Sequence, residues 1–295
     1  MRVFVTGAGG HIGSAVVPEL LQAGHEVVGL ARSETSAAAL TTLGAQVRLG
    51  DLLDLDGLRE AAANADGVIH LAFNHDAMSA GDLAGAAAAD LAVVGALADA
   101  LAGTGKTLMG VGMVRAGTEG GATALDANPR TAVARAVAGL DGRGVRSMLV
   151  AIPPVVHSTR DRHGFTPTLI RIARGAGVSG YVGEGANRWP AAHALDVGHL
   201  YRLALEGAPA GSQLCAATED GITLREIAET IGRQLGVPTV SIPAERAADH
   251  FRFLAPFMTM DIPMSNAETR QLLGWEPAHP GLIADLEQGH YFTTD

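Results

Sequence analysis

The sequence predicts an α/β fold in which a doubly wound parallel sheet is followed by a smaller C-terminal lobe. Short apolar runs alternate with helical stretches through the first half of the 295-residue chain. Most of these runs are apolar on both faces, as expected of parallel strands that helices cover on each side. The alternation stops after Pro153-Pro154, where a polar loop begins. We therefore expect a dinucleotide-binding domain over residues 1–155 and a substrate-binding lobe over 156–295, interleaved with the first, with a ligand between them.

Each element follows from a local run and its boundaries. The expected strands of the first half are Val3–Thr6, Glu26–Ala31, Gln46–Gly50, Gly67–Ala72, Thr107–Val111 and Val145–Ile152, and the helices lie at about 12–23, 34–43, 55–64, 79–102 and 126–140. The second half is expected to hold a strand near Tyr181 and helical stretches at Thr166–Arg174, Asp196–Leu205, Leu224–Leu235 and Ser265–Leu273, and the stretch Gly281–Gln288 closes the chain. Thr223 is a predicted N-cap, and Ser265 with Glu268 has the spacing of a capping box.

The amino-acid composition excludes several classes of protein and of partner. The chain is 47% hydrophobic and 18% charged, which excludes general disorder. A single cysteine, Cys215, excludes a disulfide scaffold, and 21 basic against 31 acidic residues give a net charge of −10. That charge argues against nucleic acid or an anionic membrane as partner. We expect a cytoplasmic protein with a small-molecule substrate, and a homodimer is left open. The stretch Leu83–Ala102 is apolar but contains Asp90 and Asp99, so we expect a packed helix there.

A glycine-rich turn follows the first expected strand. Residues 6–13 read Thr-Gly-Ala-Gly-Gly-His-Ile-Gly, and Gly7, Gly10 and Gly13 recur every three residues. Backbone N–H groups at a helix N-terminus, with no Cβ in the way, suit a dinucleotide pyrophosphate. Ile12 breaks the strict G-x-G-x-x-G pattern, and a tight turn without ligand is the alternative. The strand–turn–helix context favours nucleotide binding by Gly7, Gly10, His11, Ile12 and Gly13.

This loop resembles that of the short-chain dehydrogenase/reductase superfamily, in its extended or atypical branch. The resemblance extends over nearly the whole chain and implies a Rossmann fold that binds NAD(P). It implies that Asp51 and Leu52 touch the adenine, that Leu71 and Ala72 line the cofactor, and that Pro154 and Val155 pass the nicotinamide. The second-lobe signature of that branch is similar to Arg188-Trp189-Pro190, His193 and Asp196-Val197, and its C-terminal motif to Leu273-Gly274-Trp275-Glu276-Pro277.

The end of the second strand indicates which dinucleotide binds. An acid there would hold the ribose 2′-hydroxyl of NAD. The chain instead reads Ala31-Arg32-Ser33, and an Arg fork with a hydroxyl suits a 2′-phosphate. Glu34 is the nearest acid, but it falls where the next helix starts. We expect NADP, with NAD the alternative. A solvated surface charge is the structural alternative for Arg32.

The catalytic pair of the superfamily is missing. Its chemistry uses a Tyr that gives a proton to the carbonyl oxygen and a Lys four residues later that lowers the pKa of that Tyr. None of Tyr181, Tyr201 and Tyr291 has a Lys at this spacing, and Lys106 is the one lysine of the sequence. Three explanations stay open: a reductase with another proton source or an already protonated substrate, a cofactor-binding sensor without turnover, and a variant whose catalytic residues were replaced.

Three side chains are candidate proton donors. His157 follows the expected nicotinamide segment, His75 follows the fourth strand, and Tyr181 lies in the second lobe. Each has a structural alternative: a hydrogen-bonded core histidine, a residue beside a helix cap, and a packing tyrosine. We expect no metal site, because the sequence has no H-E-x-x-H motif and its one cysteine is isolated. It also has no G-x-S-x-G elbow of a serine hydrolase.

The segment Ala247–Met264 concentrates the aromatic and methionine side chains of a chain with few aromatics. Phe251, Leu254 and Met258 have helical spacing, which is typical of core packing. Other members of the segment are candidates for an apolar pocket. The sequence therefore predicts an NADPH-dependent oxidoreductase that reduces a small to medium, largely apolar carbonyl or imine compound without the Tyr/Lys pair. The alternative is a non-catalytic NAD(P)-binding sensor.

Overall fold

The computed structural model describes residues 1–112 and 128–293 and has the predicted α/β fold. The elements up to residue 151 are strands β1 (Arg2–Thr6), β2 (Glu26–Ala31), β3 (Gln46–Leu49), β4 (Gly67–His70), β5 (Thr107–Gly112) and β6 (Arg146–Ala151), and helices α1 (Gly13–Gln22), α2 (Glu34–Thr42), α3 (Leu55–Ala63), α4 (His75–Ser79), α5 (Leu83–Leu101) and α6 (Arg130–Ala138). A 3-10 turn, Gly139–Arg143, follows α6. Residues 126 and 127 of the predicted fifth helix lie outside the described residues.

The remaining elements follow residue 151. They are strands β7 (Val155–His157), β8 (Ser179–Val182), β9 (Arg188–His193), β10 (Gln213–Cys215), β11 (Glu219–Thr223) and β12 (Thr239–Ile242), and helices α7 (Phe165–Ala176), α8 (Ala194–Gly207), α9 (Leu224–Leu235), α10 (Ala247–Phe251), α11 (Ala267–Leu273) and α12 (Leu282–Glu287). Short 3-10 turns lie at Ala244–Arg246, Arg252–Leu254 and Phe257–Thr259.

The chain divides into two compact units. The first unit holds 1–152, 197–216 and 267–276, and the second holds 153–196, 217–266 and 277–295. The chain passes from one unit to the other several times, for the first time after residue 152.

The first unit contains a seven-stranded sheet in the order β10-β6-β5-β4-β1-β2-β3, with every pair parallel. The order reverses between β1 and β4, which are hydrogen-bonded neighbours although β2 and β3 separate them in sequence. In open α/β sheets, ligands bind outside the carboxyl ends of the strands at such a reversal. The loop after β1 and the segment after β4 therefore stand at the position where a nucleotide is expected.

The predicted helix at 79–102 corresponds to α5, which begins at Leu83, and the separate short helix α4 ends at Ser79. Gly81, at φ +90°, follows α4, and the side chain of Asp82 caps α5 by accepting a hydrogen bond from Gly85 N. Glycine tolerates this left-handed conformation, and an aspartate cap starts a new helix. Helix α5 is long and apolar enough to cross a membrane, a weak indication that core helices also satisfy. Its Val93 and Leu97 pack in the core of the first unit with Leu58 of α3.

The second unit contains a three-stranded sheet, β11-β9-β7, and a two-stranded sheet, β12-β8. Strands β7 and β9 are parallel, and their register places His157 opposite His193. The predicted core residues Phe251, Leu254 and Met258 are buried in one hydrophobic cluster with Trp189. Phe253 of the same segment is instead 56% exposed.

Candidate cofactor site and catalytic residues

The turn between β1 and α1 can be built only from glycine at two positions. Gly7 lies at φ +69°, and a Cβ on it would stand 2.7 Å from the backbone N of Ala72. A Cβ on Gly13 would overlap the carbonyl oxygen of Gly7 and stand 2.6 Å from that of Ala8. Gly10 N donates to Gly7 O at 2.9 Å and closes the turn. The structure thus brings together Gly7, Gly10 and Gly13 with the segment after β4.

The helix behind this turn lacks a side-chain cap. Ile12 stands at its N-cap position and no side chain accepts from its first turn, which contains no acid. The next four helices, α2 to α5, are all capped, by Ser33, Asp54, Asn74 and Asp82. Gly9 and Gly10 are exposed. A glycine cradle in front of an uncapped helix fits the pyrophosphate of a dinucleotide, since an anion can accept the N–H groups that a side chain accepts elsewhere.

The ends of β2 and β3 lie side by side, where Gly50 N donates to Ala31 O at 3.0 Å. Arg32, directly after β2, is exposed and makes no ion pair with a described residue. Ser33 Oγ caps α2 by accepting from Ser36 N at 3.2 Å. Asp51 Oδ1 accepts from Leu53 N at 2.7 Å and so shapes its own turn. Contact of these residues, and of Leu52, with an adenosine moiety stays a prediction.

A series of buried, hydrogen-bonded side chains supports the loop that follows β1. Thr6, the last residue of β1, lies opposite His70 of β4, and its Oγ1 is 2.6 Å from His70 Nδ1. His70 Nε2 is 2.7 Å from Asp90 Oδ1 of α5. Thr6 Oγ1 also accepts from Ala72 N at 3.3 Å. All groups are satisfied when the Thr6 hydroxyl donates to Nδ1 and Nε2–H donates to Asp90. The sequence alone does not predict these contacts, because their one signal is the presence of polar residues in otherwise apolar elements.

An arginine of the first unit packs against the segment that follows β4. The guanidinium carbon of Arg130, at the start of α6, lies 4.1 Å from the ring centroid of Phe73. The exposed ring of His75 packs edge-on against the same Phe73, with 5.3 Å between the ring centroids. Partial desolvation, and then the charge of Arg130, lower the pKa of His75, while Asp76 acts in the opposite direction. Burial lowers the pKa of Arg130, yet a guanidinium stays charged at neutral pH.

Tyr201 of α8 is a further titratable group of the first unit. Its side chain is fully buried, and its hydroxyl has no hydrogen-bond partner among the described residues. Burial raises the pKa of Tyr201, and the nearby charge of Arg130 acts against that rise. The hydroxyl is therefore neutral and enclosed.

The other predicted site residues belong to the second unit. His157 is fully buried, and its Nδ1 is 2.8 Å from Asp285 Oδ2. Tyr181, in β8, has the guanidinium of Arg225 5.0 Å from its ring centroid, as expected of a packing tyrosine. Val155 is buried at the start of β7, directly after Pro154. Burial, then the rings of His157 and His279, lower the pKa of His193 to about 4, so that its imidazole is neutral at pH 7.

Comparisons with known proteins bear on this arrangement. Residues 3–119 match the model of the NAD dependent epimerase/dehydratase family. "Uncharacterized protein C2A9.02" of Schizosaccharomyces pombe is 42% identical over 299 residues, covering 99% of this chain and 100% of the relative. "Uncharacterized protein YLL056C" of Saccharomyces cerevisiae is 40% identical over 299 residues, covering 98% and 99%.

Solved structures give the same fold. The UDP-glucose 4-epimerase of Thermus thermophilus, solved in complex with NAD, superimposes with a TM-score of 0.73 at 20% identity and covers 100% of both chains. The glycine cradle, the strand order and these matches agree with the resemblance seen in the sequence. The chain belongs to the NAD dependent epimerase/dehydratase family, in the extended branch of the short-chain dehydrogenase/reductase superfamily.

Proposed function

We propose that this protein is an NADPH-dependent reductase of a small to medium, largely apolar carbonyl or imine compound, and that it works without a Tyr/Lys pair. The observation that supports dinucleotide binding is the glycine cradle of Gly7 and Gly13 in front of the uncapped helix α1. The absence of an acid at Ala31-Arg32 supports NADPH over NADH. We further propose a cytoplasmic protein that binds neither nucleic acid nor membrane, with a homodimer left open.

Different groups of the first unit bind different parts of NADPH in this proposal. The N–H groups of the turn and of the first turn of α1 hold the pyrophosphate, and Arg32 with Ser33 holds the 2′-phosphate. Bound NADPH would supply the hydride, which is the chemistry of the cofactor. The hydrogen-bonded side chains of Thr6, His70 and Asp90 hold the backbone of Ala72 beside the loop after β1, because Thr6 Oγ1 accepts a hydrogen bond from Ala72 N.

Two side chains take the role of the missing pair in this proposal. Arg130, fixed on Phe73, stabilises the negative charge that develops on a carbonyl oxygen during reduction. His75 donates the proton, because its ring is exposed and packs on the same Phe73. We do not assign that donation to His157, since its ring has no exposed surface and is bonded to Asp285. A preformed iminium would need no proton from the protein.

A panel of ketones, enones and imines tests this function, with oxidation of NADPH followed at its absorbance. The reductase predicts turnover with at least one member, and Arg130→Leu lowers kcat on a ketone by about 10²–10³-fold, the range for loss of one electrostatic stabiliser. Arg59→Leu is the matched control, because Arg59 is a partly exposed arginine of the same unit whose one ion pair with a described residue is to the exposed Asp56. Its kcat is expected to match that of the unaltered protein.

The second candidate function is a sensor that binds the dinucleotide without turnover. The sequence feature that favours it is the absent Tyr-x-x-x-Lys pair. A sensor predicts saturable binding of NADPH, no oxidation across the whole panel, and a partner interaction that changes with NADPH. That combination would replace the reductase proposal, whereas turnover with any member of the panel would exclude a purely sensory role.

A further inference from the structure

The second unit contains a buried cluster of imidazoles around one carboxylate. His157 ends β7 and His193 ends β9, and the parallel register places them opposite each other with ring centroids 5.3 Å apart. Asp285 of α12 reaches the same point, 2.8 Å from His157 Nδ1. The three side chains are 0%, 8% and 2% exposed. One ligand atom of each lies within 4.8 Å of those of the other two.

Asp285 lacks a cationic partner of the usual kind. Its side chain is paired with His157 and, at 3.8 Å, with Nε2 of His290, and with no Arg or Lys among the described residues. A buried carboxylate costs several kcal/mol unless a positive charge or several hydrogen bonds compensate it. A divalent cation at this point would place a fixed positive charge beside the buried carboxylate.

The ring of His290 lacks hydrogen-bond partners at the cluster. Both of its ring nitrogens are buried, and neither is hydrogen-bonded to a described residue. Buried polar atoms are nearly always paired, so orphaned nitrogens of this kind call for a missing ligand. Imidazole nitrogens and a carboxylate oxygen are donors that suit zinc and neighbouring transition metals.

We propose that His157, His193, His290 and Asp285 bind one divalent transition-metal ion of the zinc class. Tetrahedral zinc with bonds near 2.05 Å places neighbouring ligand atoms about 3.3 Å apart. The 3.8 Å between His290 Nε2 and Asp285 Oδ2 is close to this value. The 2.8 Å between His157 Nδ1 and Asp285 Oδ2 is that of a hydrogen bond, so metal entry at this pair must part the two atoms by about half an ångström.

A second layer of contacts already orients one of the ligands. The ring of His279 stacks on His193 at 4.8 Å with an angle of 10° between the planes. His279 Nδ1 is in turn 2.7 Å from Asp196 Oδ1. Metal sites are built with such supporting contacts, which hold a ligand ring in place before the ion arrives. His157, His193 and the pair Asp285 and His290 come from three separate parts of the sequence, so no short spacing motif predicts the cluster. The site therefore departs from our sequence-based expectation of no metal.

Metal titration of the untagged, chelator-dialysed protein tests this site. Zn²⁺ is added in competition with a chromogenic chelator, and Co²⁺ is added separately to read the visible bands of a tetrahedral site. We expect one ion per chain, intense cobalt bands, and a rise in Tm with Zn²⁺, because a ligand that binds the folded state stabilises it by mass action. The absence of saturable binding, or cobalt bands of octahedral intensity, would overturn the proposal.

Variants locate the ion. His157→Gln and His290→Gln are each expected to weaken Zn²⁺ binding by at least about 100-fold, since both remove a direct ligand. His163→Gln is the control, because His163 is an exposed histidine of the same unit. The partly exposed His290 serves as the second variant if the fully buried His157→Gln fails to fold. Unchanged binding in a folded His290→Gln, or loss of binding in His163→Gln, contradicts the assignment.

Discussion

Substitution of Gly13 by alanine tests the cofactor cradle at its tightest point. The added Cβ would stand 2.6 Å from Ala8 O and 2.7 Å from Ala8 C, and it would overlap Gly7 O. An ordinary contact of a Cβ atom is at least about 3.4 Å long, so the loop atoms must move by roughly 0.8 Å to accommodate the added Cβ. Overpacking of this kind costs about 1–3 kcal/mol, and the same free energy, borne by the binding loop, weakens NADPH about 5–150-fold.

The assay is calorimetric titration of NADPH into Gly13→Ala, with the unfolding midpoint measured on the same sample. Gly95→Ala is the matched control: Gly95 lies inside α5, and a Cβ there meets no atom within 4 Å. Alanine is the better helix former, so Gly95→Ala is expected to keep NADPH affinity and to gain about 0.4–1 kcal/mol of stability. A folded Gly13→Ala protein that binds NADPH like the unaltered one would refute the proposed cradle.

Two further predictions concern side chains near the cradle. The imidazolium of His75 is the proposed acid, and its pKa lies below the usual 6.5, so kcat on a ketone should fall as pH rises through a range below 6.5. Arg130→Leu removes one cause of that lowering and should move the fall to higher pH in a pH–rate profile; an unmoved profile excludes His75. Asp90→Ala leaves His70 Nε2–H unpaired and buried, which should cost about 1–3 kcal/mol in urea unfolding, and a change under about 0.5 kcal/mol would contradict the buried series of side chains.

Local signals account for the elements that the sequence predicts well. Helix α9 has the predicted bounds, and Thr223 caps it by accepting from Glu226 N. The cap residue, the apolar spacing and Gly236 at φ +68° all lie within one short stretch. The phosphate loop is predictable for the same reason, because its glycine spacing is local.

Non-local pairings account for what the sequence does not reveal. Strand β7 has three residues, too few for a periodic pattern, and its pairing with β9 is what brings His157 to His193. Asp285 enters the same cluster from 128 residues further along the chain. Thr6 and His70 likewise meet only through the register of β1 and β4. Side chains that depend on strand register cannot be grouped before the register is known.

Parallel titrations of NADPH and NADH, into the unaltered protein and into Arg32→Ala, test the proposed preference for NADPH. We expect tighter binding of NADPH, because Arg32 follows β2 at the position where an acid would hold a 2′-hydroxyl. We also expect Arg32→Ala to weaken NADPH binding by about 1–3 kcal/mol, the scale of a lost charge-assisted hydrogen bond, and to leave NADH binding unchanged. Equal affinities for the two dinucleotides, or tighter NADH, would contradict this preference.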